Sequence, residues 1–245
     1  MSDPWFERLG GDANAPMRLF IFPFAGGGSA PYRAWAPLFP SDIDLQFVML
    51  PGRERRFREA AHVSAPALLG ELEDAITPLL DRPYGFFGHS MGASLAYEMA
   101  RRTRPGPCHL FVSGRRAPGR PRRTPRIYHL PDAAFHDALR QLGGTPPQIL
   151  NDPEMMRFFA PVLRADFELS DTYSPLPGAP LACPLSVFGG TADPEAEKED
   201  LEAWRDLTQS DVDLQIFEGN HFFLFPHRAG MAAQIGATLK RACRV

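Results

Sequence analysis

Lysine is almost missing from this 245-residue chain, which has it only at positions 198 and 240 and draws the rest of its basic charge from arginine. Acidic residues slightly outnumber basic ones, 29 to 26, for a net charge of −3. The cationic excess that a phosphate backbone requires is therefore absent, and no nucleic-acid partner is expected. Cysteine is scarce too. Cys108, Cys183 and Cys243 form an odd, scattered set without metal-ligand spacing, which excludes a disulfide framework and a thiolate metal centre. They read as reduced thiols in a cytoplasmic protein. No apolar run reaches the length of a membrane span. Met1–Phe6 has neither a basic region nor an apolar one, so no signal peptide and no membrane partner are expected. There is no internal repeat, and neither glycine-rich nucleotide fingerprint, G-x-G-x-x-G or G-x-x-x-x-G-K-[ST], occurs. What remains is an ordinary globular composition, 44% hydrophobic and 22% charged, with monomer as the default expectation.

The apolar patterning is that of alternating strands and helices. Strand-like runs occupy 17–22, 44–50, 84–87, 109–114, 185–189 and 212–217. Helical periodicity occupies 32–39, 66–80, 93–102, 195–204 and a C-terminal stretch from about Pro226. Such alternation implies an α/β fold, a mostly parallel central sheet flanked by helices. The rhythm breaks between residues 115 and 184. That stretch opens with an Arg/Pro-rich loop, carries helical patterns near 132–142 and 153–170, and ends in a proline-rich segment. It is too long for a connection. The expectation is one domain, 1–245, with a helical lid at about 115–184 over the carboxyl ends of the strands, where such sheets bind ligands.

Gly88-His89-Ser90-Met91-Gly92 lies between the strand ending at Phe87 and the helix beginning at Ala93. A G-x-S-x-G at a strand-to-helix junction is a nucleophile elbow: only glycine fits on either side of so tight a turn, and the serine hydroxyl is left exposed. The bland alternative is a glycine-rich turn. A serine hydroxyl is a weak nucleophile at neutral pH and needs a base, with a third group to orient it. In chain order the acid follows the serine and the histidine comes last. His221 and His227 remain as bases once those inside the elbow, before the acid or in the lid are set aside. His221 follows the last strand, whereas His227 starts the final helix. Asp193, just past the 185–189 strand, is the acid, with Glu218 in reserve. Two backbone N–H groups must meet the developing oxyanion. Met91, after the nucleophile, supplies one. Ala25, in the Phe24–Gly28 loop after the first strand, supplies the other, with Phe24 next in line. No metal or cofactor is called for.

Several motifs together resemble the type II thioesterases of polyketide and nonribosomal peptide synthesis, members of the α/β-hydrolase superfamily. They are Pro23-Phe24-Ala25-Gly26-Gly27, Leu50-Pro51-Gly52-Arg53-Glu54-Arg55-Arg56, Gly88–Ala93 and Gly189-Gly190-Thr191-Ala192-Asp193, with Leu142–Pro146 and Leu163-Arg164-Ala165-Asp166 in the lid. The resemblance runs from about residue 5 to 240. It implies hydrolysis of acyl thioesters from the phosphopantetheine arm of acyl or peptidyl carrier domains, removing aberrant or stalled groups. It also implies Ser90, Asp193 and His221 as the triad. The lack of a carrier-domain Asp-Ser-Leu motif points away from a product-releasing thioesterase. An esterase or lipase of the same fold, and a non-catalytic binding protein that has kept it, are the rival readings. The lid's Met155, Met156, Phe158 and Phe159 are expected either to pack its own core or, with Phe24, to line the acyl pocket. The Arg115–Arg126 loop holds six arginines. It is either a solvated loop or, through Arg122 and Arg123, a basic rim for an acidic carrier.

Overall fold

The computed structural model describes residues 3–243. In chain order its elements are β1 (Phe6–Gly10), β2 (Met17–Phe22), α1 (Ala30–Arg33), β3 (Ile43–Val48), α2 (Ala65–Ile76), β4 (Tyr84–His89), α3 (Met91–Arg102), β5 (His109–Ser113), α4 (Asp132–Leu142), α5 (Pro147–Leu150), α6 (Pro153–Thr172), β6 (Leu185–Gly190), α7 (Lys198–Glu202), β7 (Val212–Phe217) and α8 (Arg228–Ala242). The strands form one sheet in the order β1-β3-β2-β4-β5-β6-β7. Only β1 runs antiparallel, against β3.

Successive strand residues face opposite sides of a sheet. Phe20 and Phe22 of β2 therefore join one core with Leu68 and Leu72 of α2 and Leu95 and Met99 of α3. Leu19 and Ile21 join the other, with Phe87, Phe111 and the Met231, Ile235 and Leu239 stripe of α8. Both faces are covered, which is why the central strands carry apolar side chains on both sides. Each fully buried side chain of this kind contributes about 1.5–3 kcal/mol.

Helix ends follow the prolines. The 66–80 pattern stops as an α-helix at Ile76 and finishes as a 3₁₀ turn, Thr77–Leu79, because Pro78 lacks an N–H. The 32–39 pattern splits into α1 and a 3₁₀ turn around Pro37. The 195–204 pattern resolves into α7 and a 3₁₀ stretch, Ala203–Leu207. β1 and α5 lie outside the strand and helix patterns of the sequence.

Between β5 and β6 lie α4, α5 and α6, with a small apolar core of their own around Phe135, Leu139, Leu150, Met156 and Leu163. The entry to this insertion is pinned by buried Trp204, whose indole Nε1 donates to the Arg115 carbonyl at 2.8 Å.

Candidate active site

The parallel strands β4, β6 and β7 end on the same edge of the sheet, and each delivers one polar side chain there. After β4 the chain turns at Ser90, a non-glycine residue held at φ +55°, and enters α3 at once. Strain of this kind persists only where the surroundings enforce it. Here the Ser90 N–H donates to the Ser113 carbonyl at 2.8 Å. The turn is so tight that a Cβ on Gly88 would lie 2.1 Å from the Gly92 carbonyl oxygen. Asp193 follows β6, and its Oδ1 accepts the Glu195 N–H at 2.9 Å, which fixes the carboxylate. His221 follows β7. Its Nδ1 lies 2.9 and 3.0 Å from the two Asp193 oxygens, and its Nε2 lies 3.0 Å from Ser90 Oγ. Asp193 and His221 are buried; Ser90 is partly open.

The competing side chains sit elsewhere. His227 Nε2 meets the Glu218 carbonyl at 2.8 Å, and the Glu218 residue is exposed. His89 is fully buried, with Nδ1 3.0 Å from Ser113 Oγ and its ring 4.9 Å from that of His221. Burial, then the neighbouring His221, holds its pKa well below the ordinary histidine value, so it stays neutral.

The loop after β2 approaches the same point. The Gly27 N–H donates to the Phe24 carbonyl at 2.8 Å, closing a β-turn with Ala25 and Gly26 at its centre and Gly26 at φ +72°. Gly26 donates its own N–H to Asp166 Oδ2 at 2.6 Å. Ala25 keeps its N–H free of any acceptor among the described residues and lines the cavity beside Ser90. Met91 opens α3, so its N–H has no acceptor within the helix.

That cavity is mixed in character. Phe24, Leu139, Leu142, Phe167 and Phe222 form an apolar side; Arg115, Arg122, Ser170, Asp171 and Glu195 form a polar one. Arg115 donates to Ser170 Oγ at 3.0 Å and to the Ser170 carbonyl at 3.1 Å. Burial, followed by the adjacent Arg116, lowers its pKa to about 10, so it remains a cation at neutral pH. Asp171 accepts from Arg122 through Oδ1. Burial pushes its carboxyl above the ordinary range, against the opposing pull of Arg122. Burial also pushes Glu195 upward, but the Thr124 hydroxyl and Arg122 outweigh it and its pKa ends low.

Phe24 is on this cavity's wall. Met155, Phe158 and Phe159 are not. Met155 and Phe158 are 41% and 59% exposed, Phe158 packing against Phe57 outside, while Phe159 rests on the insertion's own core beside Met156. The reason is axial. They sit at the start of the 20-residue α6, and Phe167, Ser170 and Asp171 at its far end reach the cavity, about two to four turns away. The arginine loop is exposed at Arg120, Arg123 and Arg126 and is tied down by ion pairs along part of its length. Arg122 pairs with Asp171, and Arg123 with Asp200 and, at 3.0 Å, Glu197. Both guanidinium groups are committed within the chain, and Arg122 belongs to the cavity wall.

A further arrangement joins the loop after β3 to α6. Arg53 meets Asp166 with two parallel bonds of 2.7 and 2.8 Å and also donates to the Gly27 carbonyl at 3.2 Å. Glu54 Oε1 accepts from the Ser29 N–H at 2.9 Å. The only signal for these residues was their place in the motifs around 50–56 and 163–166.

The sheet order, the elbow and the converging side chains define an α/β-hydrolase fold. A model of the thioesterase domain family matches residues 17–239. The chain belongs to that family. The gramicidin S biosynthesis protein GrsT of Aneurinibacillus migulanus is 38% identical over 231 residues, covering 93% of this chain and 90% of its own. The type II thioesterase BorB from the borrelidin biosynthetic cluster superposes with a TM-score of 0.90 at 32% identity, over 98% of this chain and 99% of its own. YbtT, a type II thioesterase from the yersiniabactin NRPS/PKS pathway, gives 0.87 at 29% identity, over 98% and 100%.

Proposed function

We propose that this thioesterase hydrolyses acyl groups from the phosphopantetheine arm of acyl or peptidyl carrier domains, clearing aberrant or stalled groups from a polyketide or nonribosomal peptide synthase. The observation that carries the reading is His221, held between Ser90 Oγ at 3.0 Å and the Asp193 carboxylate at 2.9 Å in a chain of this family. Its relatives GrsT, BorB and YbtT are named for such pathways.

In this reading His221 Nε2 takes the Ser90 proton as Oγ attacks the thioester carbonyl. Asp193 stabilises the imidazolium and fixes its tautomer. The Ala25 and Met91 N–H groups receive the oxyanion. The C–S bond breaks, the arm leaves as a thiol with the proton returned by His221, and the acyl group stays on Ser90. Water, deprotonated by the same histidine, then releases the acid. The 115–184 insertion acts as a lid that forms one side of the acyl chamber. The enzyme works as a cytoplasmic monomer that meets its carrier transiently.

The test compares an acyl-pantetheine thioester with the oxygen ester of equal chain length. The thioester is expected to have the higher kcat/KM by at least about tenfold, a barrier difference near 1.4 kcal/mol. Preference for the oxygen ester would assign the site to an esterase.

A further inference from the structure

We infer that Asp166 and Arg53 are positioning residues that set the Ala25 N–H for the oxyanion, and so tie the geometry of that site to the lid helix α6. The inference rests on the proposed triad and oxyanion site.

The turn that carries Ala25 could adopt many shapes, since Gly26, Gly27 and Gly28 follow it in sequence. Side chains from outside the turn remove that freedom. Asp166, on α6, takes the Gly26 N–H at 2.6 Å, one peptide beyond Ala25. Arg53, from the loop after β3, takes the Gly27 carbonyl at 3.2 Å. The two side chains are bound to each other bidentately, and both are buried, Asp166 at 2% exposure and Arg53 at 7%. A charged pair so placed needs hydrogen bonds beyond its own to offset desolvation, the more so because Arg53 Nε has no partner among the described residues. Two of those bonds are made to the turn. Leu163, one helical turn earlier on α6, leaves no room for a side chain at 26: a Cβ there would lie 2.3 Å from its Cδ2. The far end of the loop is held from the Arg53 side, where Glu54, itself at φ +46°, accepts the Ser29 N–H and hydroxyl at 2.9 and 3.1 Å.

A carboxylate can accept from the turn and from both arms of a guanidinium at once; a carboxamide cannot, because one of its two positions is a donor. With almost no change in volume, Asp166→Asn should therefore release either the Nη2 arm of Arg53 or, with the amide turned the other way, both Gly26 and the Nη1 arm. Arg53→Lys keeps the charge but loses the fork. The donor these residues hold acts on the transition state more than on the bound substrate. Losing one such donor outright costs about 100- to 1000-fold in kcat, and loosening it should cost about 10- to 100-fold.

The experiment measures kcat and KM on a short acyl-pantetheine thioester, and Ki for the trifluoromethyl ketone of the same chain, whose adduct with Ser90 carries the oxyanion. Wild type, Asp166→Asn, Arg53→Lys, the double variant and Ser90→Ala are compared, with thermal unfolding recorded for each. The expected result is a fall in kcat of about 10- to 100-fold in either single variant, KM within about threefold, Ki weakened in parallel with kcat/KM, and a double variant no worse than the worse single one. A folded Asp166→Asn with unchanged kcat would overturn the inference, as would a loss of kcat that leaves Ki untouched. If Asp166→Asn does not fold, Arg53→Lys carries the same two criteria. Activity surviving in Ser90→Ala would instead remove the reading on which the inference rests.

Discussion

His221 Nδ1 lies 2.9 and 3.0 Å from the two carboxylate oxygens of Asp193, and both residues are 5% exposed. Water does not compete for that contact, so the carboxylate alone sets which ring nitrogen carries the proton. An amide at 193 can donate to Nδ1 and so favour the tautomer with the proton on Nε2, which cannot accept from Ser90. Asp193→Asn is expected to lower kcat by about 10³- to 10⁴-fold with KM little changed. Steady-state kinetics on any accepted thioester check this. A loss under tenfold would mean that Asp193 does not orient the base.

The cavity beside Ser90 is half apolar and half charged, and the charged half matters for chain preference. Arg115 and Asp171 are already buried, and Asp171 Oδ2 has no hydrogen-bond partner among the described residues, so an alkyl group seated there would return no hydrogen bond where a polar substituent could. Short acyl groups bearing a hydroxyl or amino substituent are expected to exceed linear alkyl groups of eight or more carbons by roughly tenfold in kcat/KM. A series of N-acetylcysteamine thioesters measures this, and Asp171→Leu should narrow the gap. Rates that climb steadily with alkyl length would contradict it.

Two buried histidines away from the triad's proton path give stability a definite pH dependence. His109, 2.9 Å from Ser186 Oγ, has its pKa lowered to about 4 by burial, and His89 is lowered in the same direction. In the unfolded chain both titrate near 6.5. Below that pH the unfolded state binds protons that the folded state refuses, so stability falls as pH drops. The decline for His109 runs from about 6.5 down to its folded value near 4, at up to about 1.4 kcal/mol per pH unit. Thermal unfolding from pH 7.5 to 4.5 should show the loss, and His109→Gln should flatten it. A Tm independent of pH across that window would exclude this account.

How much of this was legible in the sequence depends on how far apart the interacting residues lie. Strand rhythm, the elbow at Gly88–Gly92 and the order of Ser90, Asp193 and His221 are local patterns on successive strand ends, and a parallel sheet brings such ends together automatically. β1 escaped because Phe6–Gly10 is a short edge strand that precedes the rhythm. The partners of the arginine loop, Asp171, Glu195, Glu197 and Asp200, lie about 50 to 80 residues downstream, so its ion pairs cannot be seen in the loop's own sequence. Arg53 and Asp166 are 113 residues apart; each stands in a motif of its own, and neither motif names the other as its partner. Met155 and Phe158 show the opposite failure. Helical periodicity places them on α6 correctly but says nothing of which end of a 20-residue helix meets the site.

The most direct test of the central claim is intact-protein mass spectrometry of a panel of acylated carrier domains, incubated with wild type and with Ser90→Ala. The account predicts that wild type returns carriers to the free phosphopantetheine mass, short polar acyl groups first. It predicts that Ser90→Ala, folded by thermal unfolding, is slower by at least about 10⁴-fold. Acyl carriers that stay loaded with wild type, or that are cleared equally by Ser90→Ala, would contradict it.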